Sequence, residues 1–208
     1  MHVSAEGSRR SQAERSARSR GALLEAAARG LSRYGYGNLV LEDVAREAGY
    51  TRGALYHQFS GKEDLARAVL EWVDETWRSE VGAMVDRQSD PAAALIALAR
   101  GHAIYCRRDV ARVAMALRME FSGQDHPLGS EVERISESLV RRCTRLIKAG
   151  RRDGSIPAGP PARTVALAFV GAIEGAVIAL AGQEPEDELL VARVAAGVLG
   201  LENPPAPR

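Results

Sequence analysis

An all-α fold is predicted by three observations. Apolar residues recur at intervals of three and four along most of the 208 residues, as in Leu24, Ala27, Leu31 and Tyr34. Ala and Leu are plentiful, and they lose little side-chain entropy in a helix. The long β-branched alternations of strands are absent, and aromatics make up only 5% of the chain. A hydrophobic fraction of 46% and a charged fraction of 26% are those of a globular protein with a sizeable core.

Residues 1–12 are rich in Ser, Arg and Gly and read as a disordered basic tail. A first helix is expected from about Glu14 to Tyr34, stopped by Gly35 and Gly37. A second covers about Leu41 to Ala48, with Leu41, Val44, Ala45 and Ala48 on one face. Gly49 supplies a sharp turn, and a short third helix runs from Thr51 to Phe59. Ser60 to Glu63 reads as a capping box in which Ser60 and Glu63 exchange hydrogen bonds. The fourth helix that follows sets Ala66, Val69, Leu70, Val73 and Trp77 on one side.

Helical patterning continues past Arg87. Pro91 opens a helix to about Arg107, and Val110–Phe121 forms another. A long helix stops at Gly154, with Lys148, Arg151 and Arg152 complementing its C-terminal dipole. Two apolar helices close the fold, about Pro161–Ala181 and Pro185–Leu201, for some nine in all. Residues 203–208 are Pro-rich and expected to be loose.

Two cysteines, Cys106 and Cys143, are too few for a disulfide framework or a complete zinc site, and they read as reduced, buried thiols. The first twenty residues are polar and basic, so no signal peptide is expected. Val165–Ala181 has about the length of a membrane span, but Glu174 interrupts it, which favours a buried core helix. A cytoplasmic protein without membrane partner, metal or cofactor is expected. Charge is asymmetric: residues 1–62 carry ten Lys or Arg against six Asp or Glu, and the remainder eighteen against twenty-one. A polyanion would bind the basic end.

Helix, glycine turn and short helix make a helix-turn-helix. On a helical wheel Leu55 and Phe59 point together into a three-helix core, whereas Gly53 and His57 point away, flanked by Ala54 and Tyr56. Thr51 stands at the N-cap, where its hydroxyl and the free amides suit a phosphate. Small groups at 53 and 54 let the backbone approach bases, and Arg52 can reach a guanine edge or a phosphate.

The run from Leu41-Glu42-Asp43-Val44-Ala45 through Gly49-Tyr50-Thr51-Arg52-Gly53-Ala54-Leu55-Tyr56-His57 to Lys62-Glu63-Asp64-Leu65 resembles the DNA-binding signature of the TetR family of regulators. The resemblance is close over about residues 18–66 and elsewhere extends only to helix layout. It implies that Thr51, Arg52, Gly53 and Ala54 face the groove, that Tyr56 and His57 bind phosphates, and that Lys62 binds a phosphate on the adjoining backbone. It departs at Leu39 and Val40, where many members carry two Thr or Ser, so a hydroxyl cap is lost there. Tyr50 stands where Val is commoner. The resemblance also implies a homodimer through a four-helix bundle of the last two helices and their twins. Those helices are apolar nearly all round, and Ala172, Gly175, Ala176, Ala195 and Gly197 permit close packing. For Arg9, Arg10, Arg15, Arg18 and Arg20, reach into a minor groove and plain solubility both stay open.

The implied architecture is a three-helix DNA-binding head (13–62) with a C-terminal helical domain for effector binding and dimerisation (63–202). Its function would be sequence-specific regulation of transcription, as a repressor released from a double-stranded operator by a small, mostly apolar effector. The alternative is a DNA-binding protein without an effector. His102, Tyr105, Met115, Met119 and Glu174 are the candidate ligand contacts. His102 and Cys106 lie one turn apart, yet no third ligand or orienting Asp accompanies them, so neither a metal site nor an enzyme is expected. Glu174 needs a partner inside an apolar helix, whether an Arg, a helix cap or the effector.

Overall fold

A computed structural model describes residues 4–202 of the chain; the expected loose end, 203–208, lies outside the described residues. Among the described residues there are ten α-helices and no strand. They are α1 (Ser4–Tyr34), α2 (Leu41–Glu47), α3 (Arg52–Gln58), α4 (Lys62–Trp77), α5 (Ala83–Asp86), α6 (Pro91–Cys106), α7 (Val113–Glu120), α8 (Pro127–Asp153), α9 (Ala162–Ala179) and α10 (Glu186–Leu199). A π-turn over Arg78–Gly82 makes α5 the continuation of α4, and for that reason the sequence reads as one helix fewer. Helix α1 starts ten residues before the expected Glu14. No apolar stripe marks residues 4–12 in the sequence, so periodicity gives no sign of this extension.

The chain divides into two compact units, one drawn from Met1–Val73 and Asp109–Val132, the other from Asp74–Arg108 and Glu133–Arg208. The unit that holds the helix-turn-helix is thus larger than residues 13–62. It adds most of α4, the whole of α7 and the start of α8.

In the first unit, Leu23, Ala27 and Leu31 of α1 bury against a core containing Leu55, Phe59, Leu65 and Val69. Tyr34, expected on that stripe, is 62% exposed instead, because α1 ends there and Gly35 (φ +75°) turns the chain away. Arg33 ties α1 to Asp109 at 2.8 Å, and Arg29 reaches Glu47 of α2 at 2.6 Å.

In the second unit, α10 packs on both α6 and α9. Asp90 caps α6 by accepting from Ala92 N at 2.9 Å, with Pro91 at the first helical position, where no amide is lost. Gly101 lets the π-turn approach α6, since a Cβ there would stand 3.1 Å from Val81 Cγ1 and 3.0 Å from Met84 Sδ. Arg107 donates its fork to Asp187, from Nε at 3.0 Å and Nη2 at 2.7 Å, and binds α6 to the start of α10. That pairing holds the buried Asp187 carboxyl below its ordinary range. Cys106 and Cys143 are buried and form no disulfide, and burial pushes the Cys143 thiol up to about 12. Helix α9 is long and apolar enough to cross a membrane, yet Val165, Ala166, Phe169, Val170 and Ile173 are buried within the protein.

Candidate nucleic-acid interface

The turn between α2 and α3 is built from local chemistry. Gly49 adopts φ +77°, its N–H donates to Arg46 O at 3.1 Å, and Tyr50 N donates to Ala45 O at 2.9 Å. These two bonds close α2 and satisfy carbonyls it would leave bare. Thr51 then caps α3, its hydroxyl accepting from Ala54 N at 3.2 Å. Leu55 and Phe59 fall on the buried side and lock α3 onto the head.

The opposite side is bare. Thr51, Arg52, Gly53, Tyr56 and His57 are exposed, and Ala54 is half-buried at the margin. A Cβ on Gly53 would meet nothing nearer than Thr51 Oγ1 at 3.8 Å, so the backbone itself is open to a partner. Arg52 is held at rest, with Nη1 2.9 Å from Glu42 of α2 and its guanidinium 5.3 Å from the centre of the Tyr56 ring. Arg20 of α1 covers the Phe59 ring at 4.6 Å, and Gln58 donates to Ser16 at 2.9 Å, so α1 supports the end of α3.

Lys62 sits elsewhere. Its ammonium donates to Gly37 O at 2.9 Å and lies 4.8 Å from the centre of the Tyr36 ring, beside the α1–α2 turn. The capping box is displaced by one residue. Asp64 accepts from both the Ser60 amide (2.8 Å) and the Ser60 hydroxyl (3.1 Å), whereas Glu63 pairs with Arg67 at 2.7 Å. Gly61 rather than Ser60 precedes the first helical residue, which makes Asp64 the third position of α4. The Ser60 amide bond holds the Asp64 carboxyl below its ordinary range.

At Leu39 and Val40 the missing hydroxyls are replaced by packing. Val40 precedes α2 with no side-chain cap, while Leu39 is buried and fills the space over Gly30, where a Cβ would stand 2.6 Å from Leu39 Cδ1.

The structure does not collect the five candidate ligand contacts in one unit. His102, Tyr105 and Glu174 belong to the second, and Met115 and Met119 to the first, with Met119 80% exposed. His102 Nδ1 accepts from Trp77 Nε1 at 3.2 Å, and Cys106 Sγ lies 3.7 Å from its Nε2. Burial pushes the imidazole down to about 4, so it is neutral at pH 7. Tyr105 is buried, which pushes its hydroxyl up to about 12.

Sequence reasoning missed Glu120. Its carboxylate accepts from Tyr36 N at 2.5 Å and Gly37 N at 2.6 Å, across more than eighty residues of chain. No local pattern marks such a partner.

A helix-turn-helix with a bare, small and basic recognition face defines a DNA-binding protein. Residues 23–69 match the family model described as bacterial regulatory proteins, tetR family. The chain is 27% identical over 162 residues to the HTH-type transcriptional regulator YfiR of Bacillus subtilis, covering 74% of this chain and 76% of that one. It is 28% identical over 120 residues to the A-factor receptor protein of Streptomyces griseus, covering 56% of this chain and less than half (41%) of the receptor. The fold is shared with a TetR-family transcriptional regulator from Streptomyces coelicolor (TM-score 0.74, 24% identity, 88% and 95% of the two chains). It is shared too with AibR, solved with isovaleryl coenzyme A and operator DNA (TM-score 0.69, 18% identity, 87% and 97%). Residues 23–69 thus carry the DNA-binding part of the tetR-family regulatory proteins, and the chain shares its fold with solved TetR-family regulators.

Proposed function

We propose that the protein is a cytoplasmic repressor that binds an inverted-repeat operator as a homodimer and leaves it when a small, mostly apolar ligand binds. The observation that carries this reading is the split character of α3, with Leu55 buried and Thr51, Arg52, Gly53, Tyr56 and His57 bare. In it, Thr51, Arg52, Gly53 and Ala54 meet base edges, and Tyr56, His57 and Lys62 meet phosphates.

Dimerisation is supported by the outer faces of α9 and α10. Leu167, Ile178, Leu189, Leu190 and Val194 are exposed, and a Cβ on Gly171, Gly175 or Gly197 would meet nothing. Apolar side chains over bare glycine backbone suit a second pair of helices at close range. A twofold axis would present two copies of α3 to successive major grooves.

Of the candidate ligand contacts, His102, Tyr105 and Glu174 lie in the second unit, and this reading takes the neutral imidazole and the phenol as polar handles for the ligand. AibR, which shares the fold, was solved with an acyl thioester bound. The test is linkage. A melting-shift screen of acyl thioesters, apolar carboxylates and phenols supplies the ligand, and its affinity is measured with and without operator. An inducer binds the operator complex more weakly, by the factor by which it weakens DNA binding. Equal affinities would contradict release by ligand.

A further inference from the structure

The α1–α2 turn is gripped from two sides. Glu120, the last residue of α7, accepts from Tyr36 N at 2.5 Å and from Gly37 N at 2.6 Å, one bond to each carboxylate oxygen. Paired bonds from backbone N–H groups to an ionised carboxylate are among the strong hydrogen bonds of a protein. The turn is shaped to admit that carboxylate. Gly35 adopts φ +75°, and a Cβ there would stand 2.7 Å from Glu120 Oε2. On its other side the same dipeptide holds Lys62, whose Nζ donates to Gly37 O at 2.9 Å and lies 4.8 Å from the centre of the Tyr36 ring. Phe121 and His126 stack on each other at 4.2 Å, and each lies 5.5 Å from the Tyr36 ring. Tyr36-Gly37 therefore offers its amides to Glu120 and its ring and carbonyl to Lys62.

We propose that Glu120 is a positioning residue for DNA binding. It pins Tyr36-Gly37 so that the Lys62 ammonium is anchored through one donor and aims its remaining donors at a phosphate. Glu120 lies outside residues 23–69, the part of the chain that matches the family model. The inference rests on the reading of Lys62 as a phosphate contact. It gives α7 a direct hold on the DNA head, separate from the covalent path through α4.

The sign of the effect separates positioning from simple charge. Removing a carboxylate makes the protein more positive, which by itself strengthens binding to a polyanion. Positioning demands the opposite. Glu120→Gln keeps the shape but turns an N–H donor toward a backbone donor. Glu120→Asp keeps the charge but withdraws the carboxylate by one methylene.

The experiment measures operator affinity as a function of salt for the intact chain, E120Q, E120D, K62A and the double variant E120Q/K62A. Melting temperatures and the amide resonances of Tyr36 and Gly37 are followed in parallel. K62A is expected to reduce the salt slope by about one. E120Q and E120D are expected to lose threefold to tenfold in affinity, with a similar fall in slope and displaced Tyr36 and Gly37 resonances. E120Q should cost less than a further twofold once Lys62 is gone. Should E120Q bind more tightly, or its loss multiply fully with that of K62A, or its slope stay unchanged while only melting falls, the inference is overturned. An unchanged K62A slope overturns the phosphate reading of Lys62 and, separately identifiable, the path proposed for Glu120.

Discussion

Helices α3 and α9 each bury one face and leave the other bare, and the two bare faces are opposite in chemistry. On α3 the exposed side carries Thr51, Arg52, Gly53, Tyr56 and His57; on α9 it carries Leu167, Gly171, Gly175 and Ile178. Both include glycines over which a Cβ would meet nothing near, so both offer backbone for close approach. Polar donors around an open backbone suit a hydrated, charged groove, whereas aliphatic groups around the same kind of opening suit another apolar helix. Under the proposed function the partners differ accordingly: a duplex for α3, and a second copy of the chain for α9.

One charge on each face should break the comparison most severely. Gly175→Glu sets a carboxylate on the bare side of α9, and in a twofold interface two of them meet without partners. The expected outcome is a monomer in analytical ultracentrifugation that has lost operator binding by more than about 100-fold, since an unpaired head forfeits half of its contacts. Gly53→Glu on α3 should lose DNA by a comparable factor through bulk and charge, yet remain a dimer. A dimeric G175E would remove α9 from the interface.

Smaller changes divide the α3 face into positioning and readout. Arg52→Ala should cost about 1–3 kcal/mol of discrimination between operator and random DNA, if the guanidinium meets a base edge. Tyr56→Phe should weaken both duplexes alike, by about 1 kcal/mol, because phosphates carry no sequence. Equal losses for R52A on both duplexes would move Arg52 to the backbone. Glu42→Gln, which frees Arg52 from its partner at rest, is expected to tighten random DNA by a few-fold and narrow discrimination. Competition binding at fixed salt reads all three.

The second unit has its own signature in pH. His102 is held neutral, with its ionisation pushed down to about 4 from an ordinary 6.5. The unfolded chain therefore binds the extra proton first. Stability from this group is whole above pH 6.5, falls as pH drops, and is exhausted below about 4. The full loss is at most about 3 kcal/mol. Chemical denaturation between pH 7.5 and 4 should show a slope that His102→Phe removes; an unaltered slope in that variant would place the titration elsewhere.

The α3 face was legible because its determinants are local. Gly49, the Thr51 cap and the Leu55/Phe59 spacing all fall within eleven residues, and each has one physical solution. The α9 face was legible in part. Excess apolarity announced that it needed cover, but did not say which side faced inward. One misplacement came from a single-residue shift in how a helix starts: Gly61 took the position expected for Ser60, which handed the cap to Asp64. Tyr34 closes α1 where expected, but as its last residue it lies outside the core. The grip of Glu120 on the α1–α2 turn is a pairing across distant sequence, and periodicity carries no information about it. For the same reason Met115 and Met119 shared a helical face in the sequence with no indication of what that face would meet.

Footprinting with a salt titration bears on both proposed partners at once, since a duplex read by α3 and a pairing through α9 would appear together. The account predicts protection with dyad symmetry, its half-sites separated by about 34–36 Å or a multiple of that. It also predicts affinity falling steeply and linearly in log–log form as salt rises, with several phosphates neutralised by each dimer. Protection without a dyad, or affinity indifferent to salt, would contradict it.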